Sequence, residues 1–204
     1  MVKINKLSRR PLEFNPQDVL QKIMILFLKK GYLELTFEEI EKETGIKKPS
    51  LYNYFGSKKD LFFHSLQFYH DQMIDNAKSV LTKGRGIEDI LEFLQFLENY
   101  LKTDVGSYGC LMVNTMVDIG IHDPEVNQLS YQYRENIKKL LLEALLIASQ
   151  KNQIKESEIN NHLDIIIVSL IGINVLARSA TKNENISIMI NSLKKQIESW
   201  KTHV

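Results

Sequence analysis

Residues 47–54 place Lys47, Lys48, Ser50, Tyr52, Asn53 and Tyr54 together, and Lys58 and Lys59 follow closely. These side chains can hold a phosphate or read a base edge: ammonium groups supply charge, an amide and hydroxyls supply directional hydrogen bonds, and the tyrosines add reach. On a short helix, Leu51 and Phe55 at i, i+4 would face a core and leave the polar residues outside. Lys47 and Lys48 would then stand beside the first N–H groups of that helix, at its positive dipole end, where a phosphate or a guanine edge is attracted twice. Taken singly, a lysine run is a solvated face and paired tyrosines are packing residues. The combination at this spacing is what favours nucleic-acid chemistry.

Other chemistries find weaker support. His64, His70, His122, His162 and His203 are scattered. They form no His-Glu-x-x-His or Glu-x-x-His pair, no Cys/His set has zinc-site spacing, and no Gly-rich phosphate loop follows a strand. Asp118 and Asp123 beside His122 are better explained as helix capping than as an acid–base pair. No catalytic residue, metal or cofactor is expected, so an enzyme on a helical bundle is the remote alternative.

The elements that must position the cluster are helical. Four prolines and nine glycines punctuate 204 residues, apolar residues recur at three- and four-residue spacing, and period-two segments are absent. The expected fold is all-α with about nine helices. Asn15-Pro16 opens the first helix, which buries Val19, Leu20, Ile23, Met24, Phe27 and Leu28 and ends at Gly31. Thr36 with Glu39 three residues on is a capping box for a second helix stopped by Gly45. A third runs over about 48–54, and Gly56-Ser57 separates it from a long fourth, with Ser57 as its cap. Further helices are expected over about 87–102, 108–119, 124–151, 157–180 and 186–200, the third of these opened by Asp123-Pro124-Glu125.

Composition fits a soluble globular chain, with 44% apolar and 25% charged residues. The net charge is +1, but residues 1–62 hold twelve Lys/Arg against eight Asp/Glu. Basic excess therefore gathers at the N-terminal end. Lys3, Lys6, Arg9 and Arg10 precede Pro11, Glu13, Asn15 and Pro16 where a signal peptide needs an apolar run. The apolar stretch 163–177, interrupted by Asp164, Ser169 and Asn174, falls short of the roughly 20 residues that span a bilayer. No membrane partner is expected, and the lone Cys110 suits a reducing cytoplasm.

The stretch from Thr36 through Ile40, Thr44-Gly45-Ile46 and Leu51-Tyr52-Asn53-Tyr54-Phe55 to Lys58 and Leu61 resembles the TetR/AcrR helix-turn-helix signature. The resemblance implies an N-terminal three-helix DNA-binding domain, residues 1–62, and a C-terminal helical domain, 63–204, for effector binding and dimerisation. It implies backbone contacts from Thr36, Lys48, Tyr52, Tyr54 and Lys58, and base reading near Lys48, Pro49, Ser50 and Asn53. Lys47 and Lys59 complete the expected DNA-binding set. Lys47 replaces a usual serine or threonine cap, and Pro49 stands where a small residue is common. The segment from Tyr108 to Met116, followed by Asp123-Pro124, is similar to the C-terminal domains of a TetR subgroup that includes multidrug-efflux repressors.

That resemblance implies a cavity for a small effector and pairing of the last two helices with a second subunit. Apolar walls with a few polar anchors make a ligand pocket. The candidates are Phe93, Phe96, Tyr108, Cys110, Met112, Asn114, Met116, Tyr131, Tyr133, Asn174 and Arg178, although such stripes also fill ordinary cores. The helix over 163–177 is apolar on most sides and so needs cover on two faces. A homodimer seam through Ile166, Leu170, Ile173, Ile190, Leu193, Ile197 and Trp200 would supply it; packing inside one subunit is the alternative. The function expected is a ligand-responsive regulator, a repressor on a palindromic double-stranded operator. A dimeric DNA-binding protein without an effector stands beside it.

Overall fold

The computed structural model describes residues 14–120, 122–179 and 186–201. Lys3, Lys6, Arg9, Arg10, Pro11, Glu13, His203 and the expected helix end at residue 180 lie outside them. Among the described residues there are nine α-helices, two short 3-10 turns and no strand. The helices are α1 Pro16–Glu34, α2 Phe37–Thr44, α3 Lys48–Phe55, α4 Lys58–Leu81, α5 Ile87–Leu101, α6 Leu111–Asp118, α7 Pro124–Gln150, α8 Ile159–Ser179 and α9 Ile186–Ser199. The chain divides into two compact units, one ending at Asp71 and the next beginning at Gln72. The division falls inside α4, which has no Gly or Pro to mark it, and not at residue 62 as the motif alone suggested.

In the first unit, short helices are held by their ends. Asn15 Oδ1 accepts from the Gln17 N–H at 3.0 Å, and Gly31 leaves helical geometry at φ 76° within the span of α1. Thr36 and Glu39 close a full capping box: Glu39 N–H donates to Thr36 Oγ1 at 3.3 Å, and Thr36 N–H donates to Glu39 Oε2 at 3.0 Å. Gly45 ends α2 at φ 74°, ψ 5°, a left-handed conformation that costs a residue with a Cβ about 1 kcal/mol or more. Val19, Ile23 and Phe27 of α1, Ile40 of α2, Leu51 and Phe55 of α3, and Leu61, Phe62 and Leu66 of α4 are buried. The Phe27 and Phe62 rings meet edge to face at 4.7 Å.

In the second unit, α5 packs on α7 and α9, and α8 packs on α6, α7 and α9. Asp123 Oδ1 accepts from the Glu125 and Val126 N–H groups and opens α7, as the Asp-Pro-Glu order predicts. Gly109 lets the turn before α6 lie on α8; a Cβ there would come 2.5 Å from the Asn174 carbonyl oxygen. Glu156–Ser179 is by length and composition apolar enough to cross a membrane. Yet one side of α8, with Leu163, Ile166, Leu170, Ile173 and Ala177, is sealed in the core of this unit.

That placement corrects the expected dimer seam. Ile166, Leu170 and Ile173 of α8 and Ile190, Leu193 and Ile197 of α9 are all buried within one subunit. Trp200 is half-buried and stacks on His162 with ring centroids 3.9 Å apart. The physical reason is that these residues share the i, i+3, i+4 stripe that joins α8 and α9 to the bundle. The other side of α8 carries Ile165, Val168, Gly172 and Val175, with Val168 70% exposed. Ile188 of α9 is likewise 63% exposed.

Candidate nucleic-acid interface

Helix α3 turns Leu51 and Phe55 into the core and leaves Lys48, Pro49, Ser50, Tyr52 and Asn53 exposed, with Lys47 exposed just ahead of it. Thr36 and Lys59 are exposed as well, whereas Tyr54 and Lys58 are half-buried. The Tyr54 ring meets Phe14 at 5.7 Å and Phe55 at 4.7 Å, both edge to face, so packing claims most of that side chain. The Lys58 ammonium lies 3.4 Å from the Leu33 carbonyl oxygen and 5.0 Å from the centre of the Tyr32 ring. Burial there lowers its pKa.

The exposed face has a built platform. Phe37 of α2 and Tyr52 of α3 stack with centroids 4.6 Å apart and planes 20° from parallel. The Lys48 ammonium sits 5.1 Å from the Phe37 ring centre and 5.8 Å from that of Tyr52. An ammonium held over two rings loses less freedom when it meets a phosphate than one on a free tether. Phe37 is not among the site residues singled out from the sequence; the i, i+4 spacing of Lys48 and Tyr52 is the signal that points to such a platform.

The start of α3 differs from expectation. Lys47, the N-cap, makes no side-chain cap bond. The Glu41 carboxylate, from α2, accepts from the Lys48 N–H. Pro49 has no N–H to offer, and the Ser50 and Leu51 N–H groups donate to the Lys47 carbonyl at 2.9 and 3.2 Å. The first turn therefore has no main-chain donor left for a phosphate, and anion binding at this end falls to side chains. Ser57 and Asp60 likewise close the start of α4: Asp60 N–H donates to Ser57 Oγ at 3.2 Å, and Ser57 N–H donates to Asp60 Oδ2 at 2.8 Å. The Ser57 hydroxyl also donates to Asp60 Oδ2, at 2.6 Å, and this bond is the main reason the Asp60 pKa is lowered.

The expected effector residues separate into groups. Asn114 Nδ2 donates to the Tyr108 carbonyl at 2.9 Å, and Cys110 Sγ lies 3.9 Å from the Tyr133 hydroxyl. Burial pushes that phenol well above its ordinary pKa. Asn174 Nδ2 donates to the Leu170 carbonyl at 2.8 Å, while its Oδ1 is buried with no hydrogen-bond partner among the described residues. Phe93 and Met112 are buried, and Phe96 and Met116 are half-buried. Arg178 pairs with Asp118 at 3.0 Å, which takes up its charge. Tyr131 is 48% exposed under the Arg134 guanidinium, 5.2 Å from the ring centre, so it belongs to the surface.

A short helix with a buried Leu/Phe edge and an exposed Lys/Tyr/Asn face, set by caps against two partner helices, is a helix-turn-helix DNA-binding unit. Residues 19–64 match the family described as "Bacterial regulatory proteins, tetR family". It is 29% identical over 132 residues to the HTH-type transcriptional repressor BdcR of Escherichia coli (strain K12), a match spanning 64% of this chain and 66% of BdcR. It is 24% identical over 164 residues to the HTH-type transcriptional repressor ComR of the same organism, covering 79% of this chain and 76% of ComR. Among solved structures, a cysteine mutant of the TetR family transcriptional regulator CifR, complexed with 26-bp operator DNA, superposes with TM-score 0.79 at 22% identity, covering 94% of this chain and 100% of that one. A TetR family regulator from Cytophaga hutchinsonii gives TM-score 0.77 at 14% identity, covering 95% and 100%.

Proposed function

We propose that this protein is a transcriptional repressor of the bacterial cytoplasm that binds a two-fold-symmetric operator as a homodimer and is released by a small-molecule effector. The observation that carries the reading is the α3 face: Lys48, Ser50, Tyr52 and Asn53 stand exposed on a helix whose buried Leu51 is 0% accessible, so the readers are rigidly presented. Lys48 and Tyr52 serve phosphates from their stacked platform, and Ser50 and Asn53 have the chemistry for base edges. BdcR and ComR, by name, are repressors, and the CifR structure holds operator DNA.

Dimerisation is assigned to the less covered side of α8, Val168, Gly172 and Val175, together with the exposed Ile188 of α9. Their 3- and 4-residue spacing is a helix-pairing seam, and a Cβ added at Gly172 meets nothing within 4 Å, which leaves room for close approach of a second helix. A two-fold-symmetric operator read by two α3 helices needs them about 34 Å apart, one turn of B-DNA. The effector is assigned to the interior near Asn114, Tyr133 and Asn174, where the unpartnered Asn174 Oδ1 is a ready anchor. Couplings of about 1–3 kcal/mol would shift DNA affinity about 5- to 150-fold.

Selection from a random duplex library, followed by sedimentation of the complex, tests this. A palindromic site bound by two chains is the expected result. No enriched sequence, or binding by one chain alone, would overturn it.

A further inference from the structure

Between α1, α3 and α4, wholly within the first unit, lies a cleft of about 400 Å³. That volume suits a small organic molecule. Leu20 of α1, Phe55 of α3 and Phe68 of α4 contribute apolar wall, and Tyr52 and Tyr54 add aromatic rings. Helix α4 brings a polar stripe to the same cleft: Asp60, His64, Gln67 and Asp71, spaced i, i+4, i+7 and i+11 on one face.

The charge on that stripe has one sign. Asp60 is held ionised by Ser57, and both of the Ser57 bonds go to Oδ2, leaving Oδ1 free of any described donor. Asp71 is largely exposed, its side chain 68% accessible. Burial lowers the pKa of His64 against the pull of Asp60, which keeps the imidazole neutral near pH 7. Among the described residues, no lysine or arginine lines the cleft. An acidic stripe repels DNA phosphate, so this cleft is unlike the α3 face beside it. It complements an apolar or aromatic body that carries positive charge, attracted by the two carboxylates.

We propose that this cleft is a binding site for aromatic organic cations, a second ligand site built into the DNA-binding unit itself, whose occupant opposes DNA binding. The opposition follows from its walls: Tyr52, Asn53 and Tyr54 belong to the helix that presents the base and phosphate contacts. A ligand seated on them biases that helix directly, and by linkage DNA weakens the cation as much as the cation weakens DNA. The antagonism rests on the repressor reading; the binding itself does not.

Calorimetry on the full chain, without DNA, uses two probes of the same shape and opposite charge, tetraphenylphosphonium and tetraphenylborate. The phosphonium is expected to bind at least tenfold more tightly, more weakly at high salt. Leu20→Trp, which fills the cleft, should abolish that binding. Asp71→Asn, at an exposed position that leaves the fold intact, should weaken it about threefold. Equal binding of both probes, or unchanged phosphonium binding in both variants, would overturn the site. So would binding that appears only after deletion of residues 1–13, because the chain's own segment would then be the occupant. On a labelled operator duplex, phosphonium should raise the DNA Kd of the wild type and not of Leu20→Trp; an unchanged Kd with bound phosphonium would remove the antagonism while leaving the repressor reading intact.

Discussion

The Glu41 carboxylate on α2 accepts the Lys48 N–H at the start of α3, doing the capping that Lys47 cannot do. The bond ties the two helices of the helix-turn-helix to each other and sets a negative charge at the end of α3 that faces outward. Glu41→Ala should cost about 1 kcal/mol of unfolding free energy, the usual worth of a cap, and weaken DNA binding through a loosened α3. Glu41→Gln keeps an acceptor and removes the charge, so it should stay within about 0.5 kcal/mol of wild type and bind DNA more tightly. Denaturant titration and duplex anisotropy on both variants check this; a Gln variant as damaged as the Ala variant would refute the capping role.

Val168 and Ile166 lie two residues apart on α8 and have opposite fates, one 70% exposed and the other 0%. Ile166→Ala should cost about 2–5 kcal/mol of stability, as a buried large-to-small change does. Val168→Glu should leave the thermal midpoint of the isolated subunit almost unchanged and convert dimer to monomer in sedimentation velocity. A dimeric Val168→Glu chain would move the seam elsewhere.

Those neighbours also show what the sequence could tell. Thr36-x-x-Glu39, Asn15-Pro16 and Asp123-Pro124-Glu125 are local signals, and each cap formed as written. The α3 face was legible too, because Leu51 and Phe55 leave one choice of inner side. Helix α8 offers no such choice: apolar on most sides, it does not reveal in the sequence which stripe its own subunit covers. The Glu41 cap is a contact between helices across a turn, and the Arg178–Asp118 pair joins residues sixty apart in the chain. Such contacts depend on how helices cross, which periodicity does not encode.

The Lys30 ammonium, then the Thr36 N–H, hold the Glu39 pKa down from the usual 4.5 to about 2. Since the folded value lies below the unfolded one, the stabilisation is present above pH 4.5 and is lost as pH falls towards 2. Glu39→Gln keeps the capping acceptor and lacks the charge. Its stability deficit against wild type should be visible at pH 6 and shrink steadily from pH 5 to pH 3 in urea titrations. A deficit independent of pH would rule out the ion pair as its source.

Asn174 keeps a buried carbonyl oxygen unpartnered, an arrangement that costs about 1–3 kcal/mol. Asn174→Leu should therefore be neutral or stabilising by up to about 1 kcal/mol in thermal melts, and should abolish the response to any effector that releases the wild type from DNA. A variant that melts lower, yet still responds to the effector, would take the effector site away from this part of α8.

The central claim is that DNA is read through the exposed face of α3. Anisotropy on the selected operator duplex, over a range of salt concentrations, compares wild type with Lys48→Ala and Asn53→Ala. Lys48→Ala should weaken all duplexes alike and lower the salt slope by about 1 per site, whereas Asn53→Ala should cost about 1–3 kcal/mol on the operator and little on random DNA. Unchanged affinity and salt slope in both variants would contradict the account, because no other described helix presents these side chains in this arrangement.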